Sequence, residues 1–421
     1  MQKMFNKTRD SFYLSKIFRN IFCLWLLIIF IVPLIGYSQN AYINDFRVND
    51  DLTNREQFGS RIGVDSAGNF VIAWNDRRNS PNINYTQVFY QVFDKYGNKI
   101  GNNIAVNTDT NYLSGLTVFK TGQFVISWMR IFNSSMSSEL YFQRFDKTGI
   151  PLNSPTKVID TVYSSTALNY GDVASDSNGN FVVVWNFRPY ATSNDVIYAQ
   201  RFDNTGNKLG MPIVVNDTIG FFNVTDTKIV MNRDGNFVVS WRDRRFNVLQ
   251  QKYDIFFQRF DNNGLKLGGN ILVNDDNDST KEQALPSIGM NRNGNFVLTW
   301  SDRRNMTNDL SIYFQIYDST GAPIGVNKRA DESNGNPFDS RVALNNSSQF
   351  IVGWTDDGYA GRGQYFGRRY KVTGDTLGGI YMIPQTSPPG SGQLDCPQKN
   401  GQKIKSDCLS FQIAQEKDNS V

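Results

Sequence analysis

Six times the chain writes Phe, three residues, then Trp: Phe70/Trp74, Phe124/Trp128, Phe181/Trp185, Phe237/Trp241, Phe296/Trp300 and Phe350/Trp354. The tryptophans recur at steps of 54, 57, 56, 59 and 54 residues, and the seventh, Trp25, lies in an N-terminal apolar segment. Self-similarity at this period denotes stacked supersecondary units, none of which can bury its apolar faces alone.

Superposed on Trp, the units share four segments. The first precedes the Phe, as in Ile62-Gly-Val-Asp65 or Ile229-Val-Met-Asn232. An Asn/Asp-and-Gly turn follows (Asp65-Ser-Ala-Gly68-Asn69, Asn232-Arg-Asp-Gly235-Asn236), which is the chemistry of a hairpin that needs positive φ. The second segment, Phe70-Val-Ile-Ala-Trp74 and its counterparts, is β-branched and aromatic. The third alternates (Val88-Phe-Tyr-Gln-Val-Phe93, Ile255-Phe-Phe-Gln-Arg-Phe260) and ends in an Asp-x-x-Gly turn at Asp94, Asp203, Asp261 and Asp318; the fourth is Ile104-Ala-Val-Asn107 and its kin. No stretch sustains a 3.6-residue apolar period. Four antiparallel strands per unit, six units and no helix predict an all-β, six-bladed propeller over residues 40–385. The recurrent Phe and Trp are then inter-blade fillers, each burying on the order of 150–250 Å². Ring closure is left open, because both Phe46-Arg-Val-Asn49 and Ile380-Tyr-Met-Ile383 read as fourth strands.

Residues 1–38 stand apart. A basic stretch with Lys3, Lys7, Arg9, Lys16 and Arg19 against Asp10 precedes the apolar run Ile21–Tyr37, which meets Gly36 and Ser38. This is the layout of a secretory signal cleaved after Ser38; the alternative is an uncleaved anchor through residues 21–37. The expected location is therefore secreted or cell-surface. The segment holds five of the 43 basic and one of the 39 acidic residues, which leaves 38 of each in the remainder. A near-neutral chain argues against a nucleic-acid partner, and the complete lack of histidine removes imidazole catalysis and the commonest zinc ligand. Beyond residue 385 the composition turns polar, starting with Ser387-Pro-Pro-Gly-Ser-Gly392. Cys396 and Cys408 in this 386–421 tail read as one disulfide closing a small loop in an exported protein.

In an up-and-down blade the two tight Gly turns share one face, so the longer loops on the other face are the place for a site. Three of these loops open with Asp-Arg-Arg: Asp76-Arg77-Arg78, Asp243-Arg244-Arg245 and Asp302-Arg303-Arg304. Arg77, Arg244 and Arg303 are candidates for a ring of guanidinium forks facing carboxylate, sulfate or sugar hydroxyls. The structural alternative is an Asp capping its own loop while Arg pairs with the neighbouring blade. A second candidate set occupies the position nine residues before each Phe, where the innermost strand enters beside the central channel: Arg61, Gly115, Asp172, Lys228, Ser287 and Arg341. These differ from blade to blade and include three cations and one acid. Arg61, Asp172, Lys228 and Arg341 can converge on an anion at the channel mouth; solvated loop ends are the plainer reading. Asp275-Asp276-Asn277-Asp278 offers oxygens to calcium but lacks the spaced ladder of a calcium loop, so no metal or cofactor is expected.

The unit F-V-x-x-W-x-D-x-R … I-Y-x-Q-R-F-D-x-x-G-x-x-L-G resembles that of secreted bacterial propellers of the sialidase-like, or Asp-box, superfamily. The resemblance spans residues 40–385. It implies a propeller and, in the family's enzymes, an arginine triad on the substrate carboxylate. Arg61-Ile62-Gly63 stands where one of those arginines opens the first blade in Arg-Ile-Pro, without the Pro. Asp203-Asn-Thr-Gly206-Asn-Lys-Leu-Gly210 stands at the Asp-box turn, without its Ser and Trp. No Tyr/Glu nucleophile pair can be assigned, since only five glutamates follow residue 38. Two roles are weighed: an exported, monomeric, non-catalytic propeller that binds an extracellular glycan or protein, and a sialidase-like glycan hydrolase with its site at the channel mouth. From Trp to the aligned third-strand position the loops take 17, 15, 15, 17, 15 and 14 residues, so none is elaborated into a pocket wall. Asp172 is the one acid placed near the axis, against the two that glycoside cleavage needs. Binding is the expectation.

Overall fold

The computed structural model describes residues 47–383, apart from 54, 80–84, 108–109, 133–136, 160–166, 189–194, 218–223, 246–251, 277–280, 305–309, 333–334 and 357–363, together with 398–399 and 402–403. The expected signal or anchor and both Cys396 and Cys408 lie outside the described residues. Among those residues no helix is present, hence none long and apolar enough to cross a membrane.

Six four-stranded antiparallel sheets follow one another along the chain as the blades of a propeller. Blade 1 is built of Gln57–Val64, Phe70–Asp76, Gln87–Phe93 and Lys99–Ala105, paired in that order. The innermost strands of blades 2 to 6 are Asn111–Val118, Ala167–Ser175, Thr225–Met231, Gln283–Met290 and Pro337–Leu344.

The Phe-x-x-x-Trp strand lies second in every blade and packs its aromatics on the third. Phe70 stacks on Phe93 at 4.8 Å between centroids, Phe237 on Phe260 at 4.6 Å, and Phe350 on Tyr370 at 5.1 Å. Trp128, Trp241, Trp300 and Trp354 are at most 1% exposed. Burial on this scale supplies most of the cohesion between blades. Apolar clusters join blade 1 to 2, 2 to 3, 3 to 4, 4 to 5 and 5 to 6. The tight turns close as the sequence requires. Five of the six first turns place Gly at positive φ; blade 6 has Ser348 there, at φ 58°, where a side chain is strained.

Tyr381–Ile383 supplies the fourth strand of blade 6. The competing N-terminal segment forms no strand among the described residues but packs against blade 1. Val48 packs with Ile62, Phe70 and Trp74 of blade 1. Asp50 takes Arg78 as Asp217 at the end of blade 3 takes Arg245, and Asp275 at the end of blade 4 takes Arg304. Residues 48–50 thus stand where a preceding blade's outer strand ends at the other joints.

Candidate functional site

Every innermost strand carries a β-bulge, and the residue that resumes the ladder is the one nine before the Phe. The pairs are Arg61 with Ala73, Gly115 with Ser127, Asp172 with Val184, Lys228 with Ser240, Ser287 with Thr299, and Arg341 with Gly353. A bulge bends its strand and re-aims the side chains beside it. In four blades the residue two before adopts positive φ: Gly59 at 61°, Asp226 at 56°, Leu285 at 53° and Asp339 at 52°. For a side-chain-bearing residue this costs roughly 1–2 kcal/mol, a strain that persists only where the surroundings enforce it.

The bulges bring Arg61, Asp172, Lys228, Ser287 and Arg341 to one cavity of about 160 Å³ on the propeller axis. Further along the same strands its wall turns apolar, with Val118, Ile229, Met231 and Val342. Gly115, the sixth member, lines nothing itself but is required by a close approach: a Cβ there would stand 2.7 Å from the Val173 nitrogen and 3.0 Å from Asp172 Oδ1.

The charges are unevenly matched. Asp172 accepts hydrogen bonds from the Val173 N–H (2.9 Å) and the Ile229 N–H (3.4 Å) of the next blade. Arg341 pairs with Asp339 at 2.5 Å and donates to the Ser340 carbonyl at 2.8 Å; Arg61 donates to the Ser60 carbonyl at 3.2 Å. Lys228 is half-buried in the cavity wall, and among the described residues no hydrogen-bond or ion-pair partner reaches its Nζ. Burial, and then the Arg61 and Arg341 guanidinium groups, push its amine down to about 8, against the opposing pull of Asp172 and Asp226. Two arginines outweigh the carboxylates at the point where this ammonium sits.

The Asp-Arg-Arg motifs resolve differently. Asp76, Asp243 and Asp302 each accept the indole N–H of the preceding Trp at 2.7–2.8 Å and the backbone N–H of the second Arg. That second Arg also lies on a third-strand ring, as Arg304 does on Tyr313 at 4.2 Å. Arg78, Arg245 and Arg304 are thus joints of the fold. The first arginines do not form a ring. Arg77 pairs with Glu56 and Arg303 approaches Glu282 at 3.7 Å, whereas Arg244 lies over Tyr253 at 5.3 Å. Asp275 is held by Arg304, and Asp276 by Asn274 and Gln283; no metal-binding group is found among the described residues.

The residues at the channel mouth were readable from their failure to repeat. Asp226 and Asp339 were not, because a bulge leaves no pattern in a single sequence. Arg242 does carry a sequence signal: the residue after each Trp is otherwise Asn75, Met129, Asn186, Ser301 or Thr355, and this is the one charge.

Fold and channel together define a six-bladed propeller whose axial cavity carries an excess of cations at one end. No protein-family model matches the sequence, and no curated protein is similar enough to count as a relative. Solved structures of similar shape include the GH93 α-L-arabinofuranosidase of Fusarium graminearum in complex with arabinobiose, at 10% identity over 77% of this chain and 97% of that one, with a TM-score of 0.50. The α-L-arabinanase of Penicillium chrysogenum complexed with arabinobiose is 15% identical over 64% and 80%, with a TM-score of 0.45. A PL25 ulvan lyase bound to -[GlcA(1-4)Rha3S]- is 13% identical over 79% of each chain, also at 0.45. At such identities the likeness is one of fold.

Proposed function

We propose that this is an exported, non-catalytic propeller that captures the acidic end of an extracellular glycan at the mouth of its channel. The observation that carries the reading is the Lys228 ammonium, without a hydrogen-bond or ion-pair partner among the described residues, in one cavity with Arg61 and Arg341. Three cations drawn together at a cost to stability are complementary to a carboxylate or sulfate, which an arginine fork takes in two parallel hydrogen bonds. The cavity is close to the roughly 150 Å³ that takes a benzene-sized guest, so it admits one terminal group and not a threaded polymer. A propeller of this architecture holding arabinobiose, in the Fusarium enzyme, supports a saccharide as the ligand class. Export rests on the basic and apolar layout of residues 1–38.

Against glycoside cleavage, the three acids around the mouth have structural employment. Asp172 holds two backbone N–H groups, Asp226 holds Arg242 at 2.7 Å and Asp339 holds Arg341. A glycan array probed with the wild type and with the Arg61→Ala/Arg341→Ala variant tests the reading. Acidic glycans should be retained by the first and lost by the second, with unchanged circular dichroism. Turnover of a fluorogenic sialoside or uronide panel would sink the non-catalytic assignment.

A further inference from the structure

Blades 1 and 5 neutralise the first arginine of the Asp-Arg-Arg motif with a glutamate from the segment leading into the innermost strand. The Arg77 N–H donates to the Glu56 carbonyl and the Arg303 N–H to the Glu282 carbonyl, both at 3.1 Å, and the side chains pair as well. Blade 4 carries Asn223 at that sequence position. Its arginine, Arg244, has no hydrogen-bond or ion-pair partner among the described residues, and its Nε is an unsatisfied buried donor, as is that of Arg303. Blade 4 also adds Arg242. This residue pairs with Asp226 at 2.7 Å, lies 4.0 Å from Glu282 and sits over the Tyr253 ring at 4.3 Å; Arg244 lies over the same ring at 5.3 Å. Glu282 is in turn 3.7 Å from Arg303. Two guanidinium groups therefore share one tyrosine, and Glu282 links Arg242 to Arg303, on the loop-bearing face between blades 4 and 5.

We infer that Arg242, Arg244 and Arg303 form a second anion subsite, and that the ligand is a polysaccharide with carboxylate or sulfate on more than one sugar. This rests on the channel reading for its first contact point. The two places are joined through Asp226, which holds Arg242 and lies two residues before Lys228, within the bulge of the same strand. A chain whose terminal acid enters the channel has its next acids directed over this notch. Guanidinium forks select planar and tetrahedral oxyanions, and tethering the second contact to the first raises its effective concentration.

The test is a chain-length series: galacturonic acid and its oligomers, and a matched series of sulfated galactan fragments, titrated calorimetrically. Wild type should bind the oligomers about tenfold or more tighter than the monomer, as one charge-assisted contact gives. Arg244→Ala/Arg303→Ala should remove that gain and leave monomer binding within a factor of two. Asn223→Glu, which supplies the acid found in blades 1 and 5, should act in the same direction without deleting any side chain from the notch. Affinity independent of chain length in both series overturns the inference, as does a gain that survives both variants. If Arg61→Ala/Arg341→Ala leaves binding intact while the blade 4 and 5 variants lower it, the channel reading fails and the second subsite stands.

Discussion

Replacing Lys228 with methionine keeps the apolar stem of the side chain and removes its charge. In the folded protein the amine is pushed down to about 8 from an ordinary 10.5, first by burial and then by Arg61 and Arg341. Between those two values the unfolded chain holds a proton that the folded protein has shed. The destabilisation is therefore complete below pH 8 and fades as the pH climbs toward 10.5. At about 1.36 kcal/mol per pKa unit, the protonated lysine costs the fold about 3 kcal/mol at neutral pH. Lys228→Met should recover most of this, because the change orphans no hydrogen-bond or ion-pair partner among the described residues. Urea unfolding at pH 7 should show a gain of about 2–3 kcal/mol, and repetition at pH 10 a gain below about 1 kcal/mol. A variant no more stable than wild type at pH 7, or a gain that is equal at both pH values, would refute the reasoning. The same variant should lose anion binding, the exchange of stability for function expected at a binding site.

The pH dependence of binding follows from the same group: affinity for an acidic sugar should hold below pH 8 and fall by up to about tenfold per pH unit above it, read by calorimetry. Arg304→Ala leaves the fully buried Asp302 without its cation and should cost about 3–5 kcal/mol in urea unfolding, whereas Arg303→Ala one residue earlier should stay within about 0.5 kcal/mol. Ser348→Gly relieves the left-handed turn residue of blade 6 and should raise stability by up to about 1 kcal/mol, seen as a higher midpoint with an unchanged m-value.

Much of the fold lay open in the sequence because the same physical demand recurs six times. Phe70, Phe124, Phe181, Phe237, Phe296 and Phe350 all fill one kind of inter-blade space, and a Gly at positive φ in five of the six first turns answers one kind of backbone requirement. Repetition averages out the ambiguity of any single strand. The candidate site was legible for the converse reason: Arg61, Asp172, Lys228 and Arg341 occupy a repeated position without repeating. Three things escaped. The bulges depend on how two strands pair and leave no compositional trace, so the left-handed Asp226, Leu285 and Asp339 could not be foreseen. The division of labour inside Asp-Arg-Arg depends on which side chain reaches the buried Asp, and adjacent arginines are indistinguishable until the loop is folded. The notch around Tyr253 shows only once Arg244 is seen over that ring without an acid among the described residues.

The central claim is that the channel cations recognise negative charge on a sugar. Calorimetric titration of the full chain with galacturonic acid and with its methyl ester isolates that charge on otherwise matched ligands. Binding of the acid, loss of at least about tenfold on esterification, and no difference between the two in Arg61→Ala/Arg341→Ala would agree with the account. Equal affinity of the wild type for acid and ester would contradict it.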